Sequence, residues 1–351
     1  MKKCFTHISL FCLFISAGAA VAMQPAPSVQ WDRASAMAEV RSADISIVVS
    51  EIGNAASLAD GKATLERLND LENRSDLPLP AREAALYEFT RSLAELPRSA
   101  VATEVMQHLQ NYQSLALVPD EDHGHTFVPL FNIRGAAAGI ENGWLRSESA
   151  LEAISILKSN PDALVSAYIE SANHNQRSGY LDALQQAGTA DIQALQDAAL
   201  EQFEREGGLT RLIGLTAVIT RDAFAIEQLL IHGQGAGLSS TLRQLDELLP
   251  ASETAVFLTY AVQQAPAENA SLAIAAWWPR LRHEAAIRDL LVDKLDDPAL
   301  GSTAALALAQ SPDIQTIKAL QNTAGGSSIA ARRAQMALNM NRDRLIGEVP
   351  Q

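Results

Sequence analysis

Apolar residues recur along this chain at helical spacing, and over its second half the stripes themselves recur. Leu86, Phe89, Leu93 and Leu96 stand at i, i+3, i+7 and i+10, and Val101, Val105, Leu109 and Tyr112 follow at i, i+4, i+8 and i+11. Such a stripe buries one face of an α-helix. The pattern predicts helices over 31–55, 57–73, 81–96 and 98–112, arranged as hairpins, with Pro97 punctuating the last turn. From about residue 156 to 343 a longer beat is added. Val218, Leu248, Trp278, Leu308 and Leu338 are each thirty residues apart, all apolar and all late in a predicted helix. Just downstream come Asp162, Asp191, Asp222, Asp313 and Asp343, with Ser252 and His283 filling the two missing places. A fixed period of this length is the mark of stacked helix pairs. The expected fold is therefore all-α, an α-solenoid of antiparallel hairpins with about thirty residues per repeat in the C-terminal half.

The beat has a local mechanism. In Asn160-Pro161-Asp162 and Ser311-Pro312-Asp313 the first residue is expected to cap a helix, the proline to occupy the first helical position, and the aspartate to meet the positive end of the dipole. The helices that follow carry Leu164, Val165 and Tyr168 in one copy and Ile314, Ile317 and Leu320 in another. A lone hairpin leaves that face in water, so neighbouring copies must cover it. Between the irregular hairpins of 31–114 and the array of 144–343, residues 115–143 break the rhythm with Pro119, Pro129 and glycines 135, 139 and 143. They are expected to form an irregular insertion. Residues 344–351 are expected to be a polar tail that follows the last helix at about Met340.

Two segments resemble the second helix of the HEAT-repeat superfamily, in particular the short bacterial HEAT-like repeats. They are Ala304-Ala305-Leu306-Ala307-Leu308 before Asp313, and Arg332-Arg333-Ala334-Gln335-Met336-Ala337-Leu338 before Asp343. Alanines there permit close helix approach and a late leucine fills the core. The arginine that often opens that helix is present only at Arg332 and Arg333, with Ser302 or Leu242 standing in its place elsewhere. The resemblance implies a curved α-solenoid that serves as a scaffold or binding platform, and it implies no chemistry.

Composition narrows the setting. Lys2 and Lys3, an apolar stretch from Phe5 to Ile15 and the small-residue end Ala20-Val21-Ala22 have the layout of a secretory signal over residues 1–22. The expectation is cleavage after Ala22, a periplasmic or secreted product, a proline-containing tether over 23–30, and no stable membrane span after cleavage. Both cysteines, Cys4 and Cys12, lie inside that signal. A net charge of −14 opposes the phosphate attraction on which nucleic-acid binders rely, so nucleic acid is excluded as an expected partner. Low aromatic content, 5%, suits close-packed helices better than a sandwich.

Candidate chemistry is sparse. Asp120-Glu121-Asp122-His123-Gly124-His125 concentrates carboxylates and imidazoles. Asp120, Asp122, His123 and His125 are the candidate ligands of a divalent metal, although neither a fixed ligand spacing nor a cysteine accompanies them. The competing account is an acidic, solvated loop. His283-Glu284 begins like a zinc-protease helix, but Ile287 stands where the second histidine belongs, and Gly233 to Gly237 lacks the lysine of a phosphate-binding loop. No catalytic residue and no organic cofactor is assigned. Trp277, with Arg280 and Arg282, either fills a gap in the core or projects to stack on a partner. Arg332, Arg333, Arg342 and Arg344 make the C-terminal end basic, either as a solubilising cap or as a docking site for an acidic partner or an anionic membrane. The expected function is non-catalytic: an exported helical-repeat scaffold that engages a protein or peptide partner in the cell envelope. The rival expectation is a metal-dependent hydrolase built on Asp120 to His125.

Overall fold

The computed structural model describes residues 28–57, 60–123 and 125–347, which are mostly helical, with eighteen α-helices and three short strands. The expected signal with its cleavage point after Ala22, most of the tether and the last four residues of the tail lie outside the described residues. The chain divides into two compact units, Met1–Glu141 and Asn142–Gln351.

The first unit contains β1 (Val29–Gln30), α1 (Arg33–Ser42), α2 (Ser46–Ser57), α3 (Gly61–Glu72), α4 (Leu79–Ser92), α5 (Ala100–Asn111), β2 (Ala116–Pro119) and β3 (Phe127–Pro129), and the beginning of α6 (Ile133–Ser159). Helix α4 is its centre, packing on α1, α2 and α3 and reaching β2. It buries Ala81, Ala84, Ala85, Leu86 and Phe89, and the alanines allow its neighbours to approach closely. Asp32, Asp60 and Ser99 cap α1, α3 and α5 by accepting from backbone N–H groups of the first turn. The helix expected over 31–55 is broken in two. Ala43 is extended, and the Asp44 carboxylate takes both the amide and the hydroxyl of Ser46, which starts α2 afresh.

Two further expectations are corrected here. The end of the tether is a strand: Val29 and Gln30 pair in parallel with Ala116 and Leu117. Residues 115–143 are not irregular throughout. Leu117, Val118 and Pro119 pair antiparallel with Pro129, Val128 and Phe127, and Ala116 and Val118 point inward with period two. Asn132 then accepts the amide of Gly135 at 2.9 Å, and Ile133, Ala137 and Trp144 form a buried helical stripe that carries α6 straight through glycines 135, 139 and 143. Glycine lowers helix propensity by only about 1 kcal/mol per residue, which a buried stripe outweighs.

The second unit holds the rest of α6, then α7 (Pro161–Glu170), α8 (His174–Ala183), α9 (Thr189–Phe203), α10 (Thr210–Thr220), α11 (Ala223–His232), α12 (Gly235–Leu248), α13 (Ala251–Gln264), α14 (Ala267–Leu281), α15 (Ala285–Asp293), α16 (Gly301–Ala309), α17 (Ile314–Thr323) and α18 (Ile329–Gly347). Even-numbered helices pack on the next even one, α10 on α12, α12 on α14, α14 on α16 and α16 on α18. Odd-numbered helices do likewise from α7 to α17, and the sequential pairs α7–α8, α9–α10, α13–α14, α15–α16 and α17–α18 pack as hairpins. One apolar core extends without interruption from Ala153 to Ala337.

The helix starts follow the aspartate beat in most copies. Asn160 caps α7 with Pro161 in the first turn, and Asp222 caps α11. At the third site the roles shift: Asp313, not Ser311, is the cap of α17, accepting from the Thr316 amide at 3.3 Å, while Ser311 is buried. Helix α17 therefore begins at Ile314, which is exposed, and presents Thr316 and Leu320 inward. Asp343 starts no helix, since it lies within α18, and α18 continues to Gly347 where a polar tail was expected. On the thirty-residue beat Trp278 and Leu308 are buried and Val218 and Leu338 are half-buried, but Leu248 is 42% exposed. The chain leaves α12 in an extended conformation at Leu249, and that residue takes the core place instead.

Leu308→Asp, which sets a charge among buried alanines of α16, should lower the unfolding free energy by several kcal/mol. Leu248→Asp should change it by less than about 1 kcal/mol. Denaturant titration of both variants checks the difference.

Candidate partner-binding face

Of the aromatic-basic cluster, Trp277 and Arg280 are engaged within the fold. Trp277 is 0% exposed and its indole Nε1 donates to the Leu242 carbonyl of α12 at 2.8 Å. Trp278, one residue on and a helical step around α14, is also buried and donates to the Ala307 carbonyl of α16 at 2.7 Å. One dipeptide thus ties α14 to both flanking helices of its row, and each indole buries a large apolar body whose polar edge is satisfied. Arg280 donates to the carbonyls of Asp246 and Leu249 at the end of α12 and lies 3.3 Å from the Asp246 carboxylate. Arg282 points to the neighbouring His283. Of the two readings of Trp277 the core one holds, and Trp277 and Arg280 hold α14 against α12.

The candidate metal ligands sit in the turn between β2 and β3. The Asp120 carboxylate accepts from the amide of Asp122 at 3.0 Å and from the hydroxyl of Thr126 at 3.3 Å, and lies 3.7 Å from His123 Nδ1. Asp122, His123 and His125 face solvent. Among the described residues no three His, Cys, Asp or Glu side chains converge as a metal-holding group. The Asp120 side chain is engaged in closing a hairpin turn.

Two titratable pairs in the first unit carry no signal in the sequence. Glu83 of α4 is fully buried, and its Oε1 accepts from the amides of Leu115 and Ala116 and from the Tyr112 hydroxyl at 3.2 Å. Burial pushes its carboxyl up, against the opposing effect of those hydrogen bonds. It anchors the start of β2 to α4. His108 of α5 lies 2.7 Å from Glu72 of α3, and that hydrogen bond raises the imidazole above its ordinary 6.5.

An open surface with recognition chemistry lies in the second unit, where a groove of about 390 Å³ runs between α8, α10 and α12. Leu181 and Leu215 supply apolar floor, Gln185, Ser240 and Gln244 supply amide and hydroxyl groups, and Arg211 supplies a cation. Asp182 at its edge is already engaged by Arg146, Nη2 to Oδ1 at 2.7 Å. The floor lies low because the helices meet through glycine. A Cβ on Gly214 of α10 would fall 2.2 Å from Thr241 Oγ1 of α12, and one on Gly179 of α8 would fall 2.2 Å from the Arg146 carbonyl of α6. These groups suit a peptide chain, whose amides need both donors and acceptors and whose side chains need apolar floor. This groove carries no motif in the sequence. Its one legible trace is the placing of Gly179, Gly214 and Gly237 inside or at the start of helices, where glycine is otherwise disfavoured.

No family model, no curated protein and no solved structure matches the chain. Among the described residues no helix is long and apolar enough to cross a membrane.

Trp277→Ala should lower stability by about 3–5 kcal/mol in denaturant unfolding, because it opens a cavity and strips a buried hydrogen bond. The His108–Glu72 pair sets a pH dependence of its own. Because folding raises the imidazole's pKa, its contribution is complete below 6.5 and is lost as pH rises through the higher folded value. Thermal unfolding of the wild type and His108→Gln, followed from pH 5.5 to about 9 as a range of conditions, should converge at the alkaline end and separate at the acid end by about 0.5–1.5 kcal/mol.

Proposed function

We propose that this chain is an exported α-solenoid of HEAT-like helix pairs that acts without catalysis, as a scaffold holding a protein or peptide partner in the cell envelope. The single observation that carries the reading is the order of packing in the second unit. From α10 to α18 each even helix lies on the next even helix, from α7 to α17 each odd helix lies on the next odd one, and one core continues beneath them. Helix pairs of that kind share their apolar faces only with neighbours in line, and the arrangement leaves a long row of helices free to bind. The small residues and late leucine of 304–308 and 332–338 support the HEAT-like reading. The basic, apolar and small-residue layout of residues 1–22 supports export.

The binding site in this reading is the groove of α8, α10 and α12. Its Arg211 gives it a preference for a partner segment with a carboxylate near an apolar side chain. The test combines fractionation of the producing cells with capture from their envelope extract, using wild type and an Arg211→Glu, Ser240→Trp double variant. The expected outcome is protein in the envelope fraction and a co-purifying polypeptide that the double variant loses while keeping its melting temperature. Retention of the same polypeptides by the variant, or a cytosolic protein, overturns the reading.

A further inference from the structure

A second surface of the same unit lies on α16 and α18. Among the described residues α18 is alone in exposing more than one large apolar side chain, with Ile329 47%, Met336 45% and Met340 41% exposed. They are seven and four residues apart, so at about 100° per residue they fall within one narrow stripe. Ala334, Ala337 and Asn341 occupy the buried face. Asn341 donates there to the carbonyls of Ala309 and Ser311, which sets the rotation of α18 about its axis. Leu306 of the adjoining α16 stands thirty residues before Met336 and is 46% exposed, on the corresponding face of a helix that packs on α18.

The charge of α18 departs from that of the chain. Helix α18 contains Arg332, Arg333, Arg342 and Arg344 against the single acid Asp343, in a chain whose net charge is −14. Arg333 is spent on structure, donating to the carbonyls of Leu295 and Asp297 at 2.8 Å each. Arg332 stands exposed beside the stripe.

We propose that the stripe of Ile329, Met336 and Met340, with Leu306, is a docking surface for an amphipathic α-helix of another protein, one whose apolar face is edged by carboxylates. A stripe on one helix matches a stripe on another, read as anchors three, four and seven residues apart. Methionine is unbranched and polarisable and accommodates apolar side chains of differing shape. Arg332 selects an acidic edge, and at physiological salt it acts within about 8 Å, so the acidic remainder of the chain does not cancel it locally. A membrane surface fits less well. Helix α18 contains no Trp, Tyr or Phe to anchor at an interface, and an anionic bilayer would repel the acidic residues that predominate elsewhere. A second copy fits less well too, since its own α18 stripe is edged by the same Arg332 and not by carboxylates.

The inference stands on α16 and α18 and does not depend on the groove or on export. Its test uses the full chain and two fluorescent synthetic helices of about eighteen residues, long enough for five turns. Both carry leucine at alternating three- and four-residue spacing, one with glutamate edges and one with lysine edges. Anisotropy titration should show the glutamate helix binding at least about tenfold more tightly than the lysine helix, a difference within reach of a few charge contacts. Met336→Glu with Met340→Glu should abolish binding at an unchanged melting temperature, and Arg332→Glu should erase the preference for glutamate. Arg211→Glu in the groove should bind the helix as wild type does. Equal affinity for the two helices, or binding of neither, overturns the proposal. So does Met336-dependent binding to phosphatidylglycerol vesicles, or Met336-dependent self-association in sedimentation.

Discussion

An α-helix leaves its last four carbonyls without an intrahelical donor, and a fold of short helices multiplies those ends. Here they are answered from other helices. Arg82 donates to Glu72 at the end of α3, Arg177 to Ile169 at the end of α7, Asn269 to Leu230 and Gly233 at the end of α11, Arg280 to Leu249 after α12, and Asn341 to Ala309 and Ser311 around the end of α16. Each bond couples the termination of one helix to the placement of another. Apolar burial supplies the driving force, but burial is non-directional and tolerates sliding. The side-chain caps have direction, and removing one leaves carbonyls buried without a partner.

The same geometry accounts for the surface. Between α10 and α12 the contact passes through Gly214 and Gly237, and between α6 and α8 through Gly179. Close seams leave space above them, and the groove occupies that space. The two tryptophans bury their rings beside α14 and join it to α12 and α16 with a hydrogen bond each way. Glycine at one seam and tryptophan at the next two leave the second unit with a recess at α10–α12 and a packed interior at α14.

Much of the secondary structure was legible because it rests on local forces. The stripes of α4 and α5, the Asn160-Pro161 start of α7 and the Asp222 cap of α11 each follow from residues within one helical turn. What failed depended on a partner elsewhere in the chain. Val29 and Gln30 read as tether because their strand partners, Ala116 and Leu117, are far away in sequence. Glycines 135, 139 and 143 read as breakers because the buried stripe of Ile133, Ala137 and Trp144 that overrides them is apparent only once its burial is known. Trp277 stood out as an anomaly beside Ala217, Ala307 and Ala337, and the anomaly was real, yet its meaning was a bond to Leu242 rather than a contact with a ligand.

By itself the sequence determined that the chain is mostly helical, roughly where its helices begin, and that apolar faces recur every thirty residues, since caps, prolines and helical periodicity act over a few ångströms of contiguous backbone. Only the tertiary structure decided which of those faces are covered, which arginines are bound to carbonyls, and which are left beside exposed methionines. Burial and hydrogen-bond satisfaction are properties of pairs of segments, and a pair separated by thirty or more residues leaves no mark in either member alone.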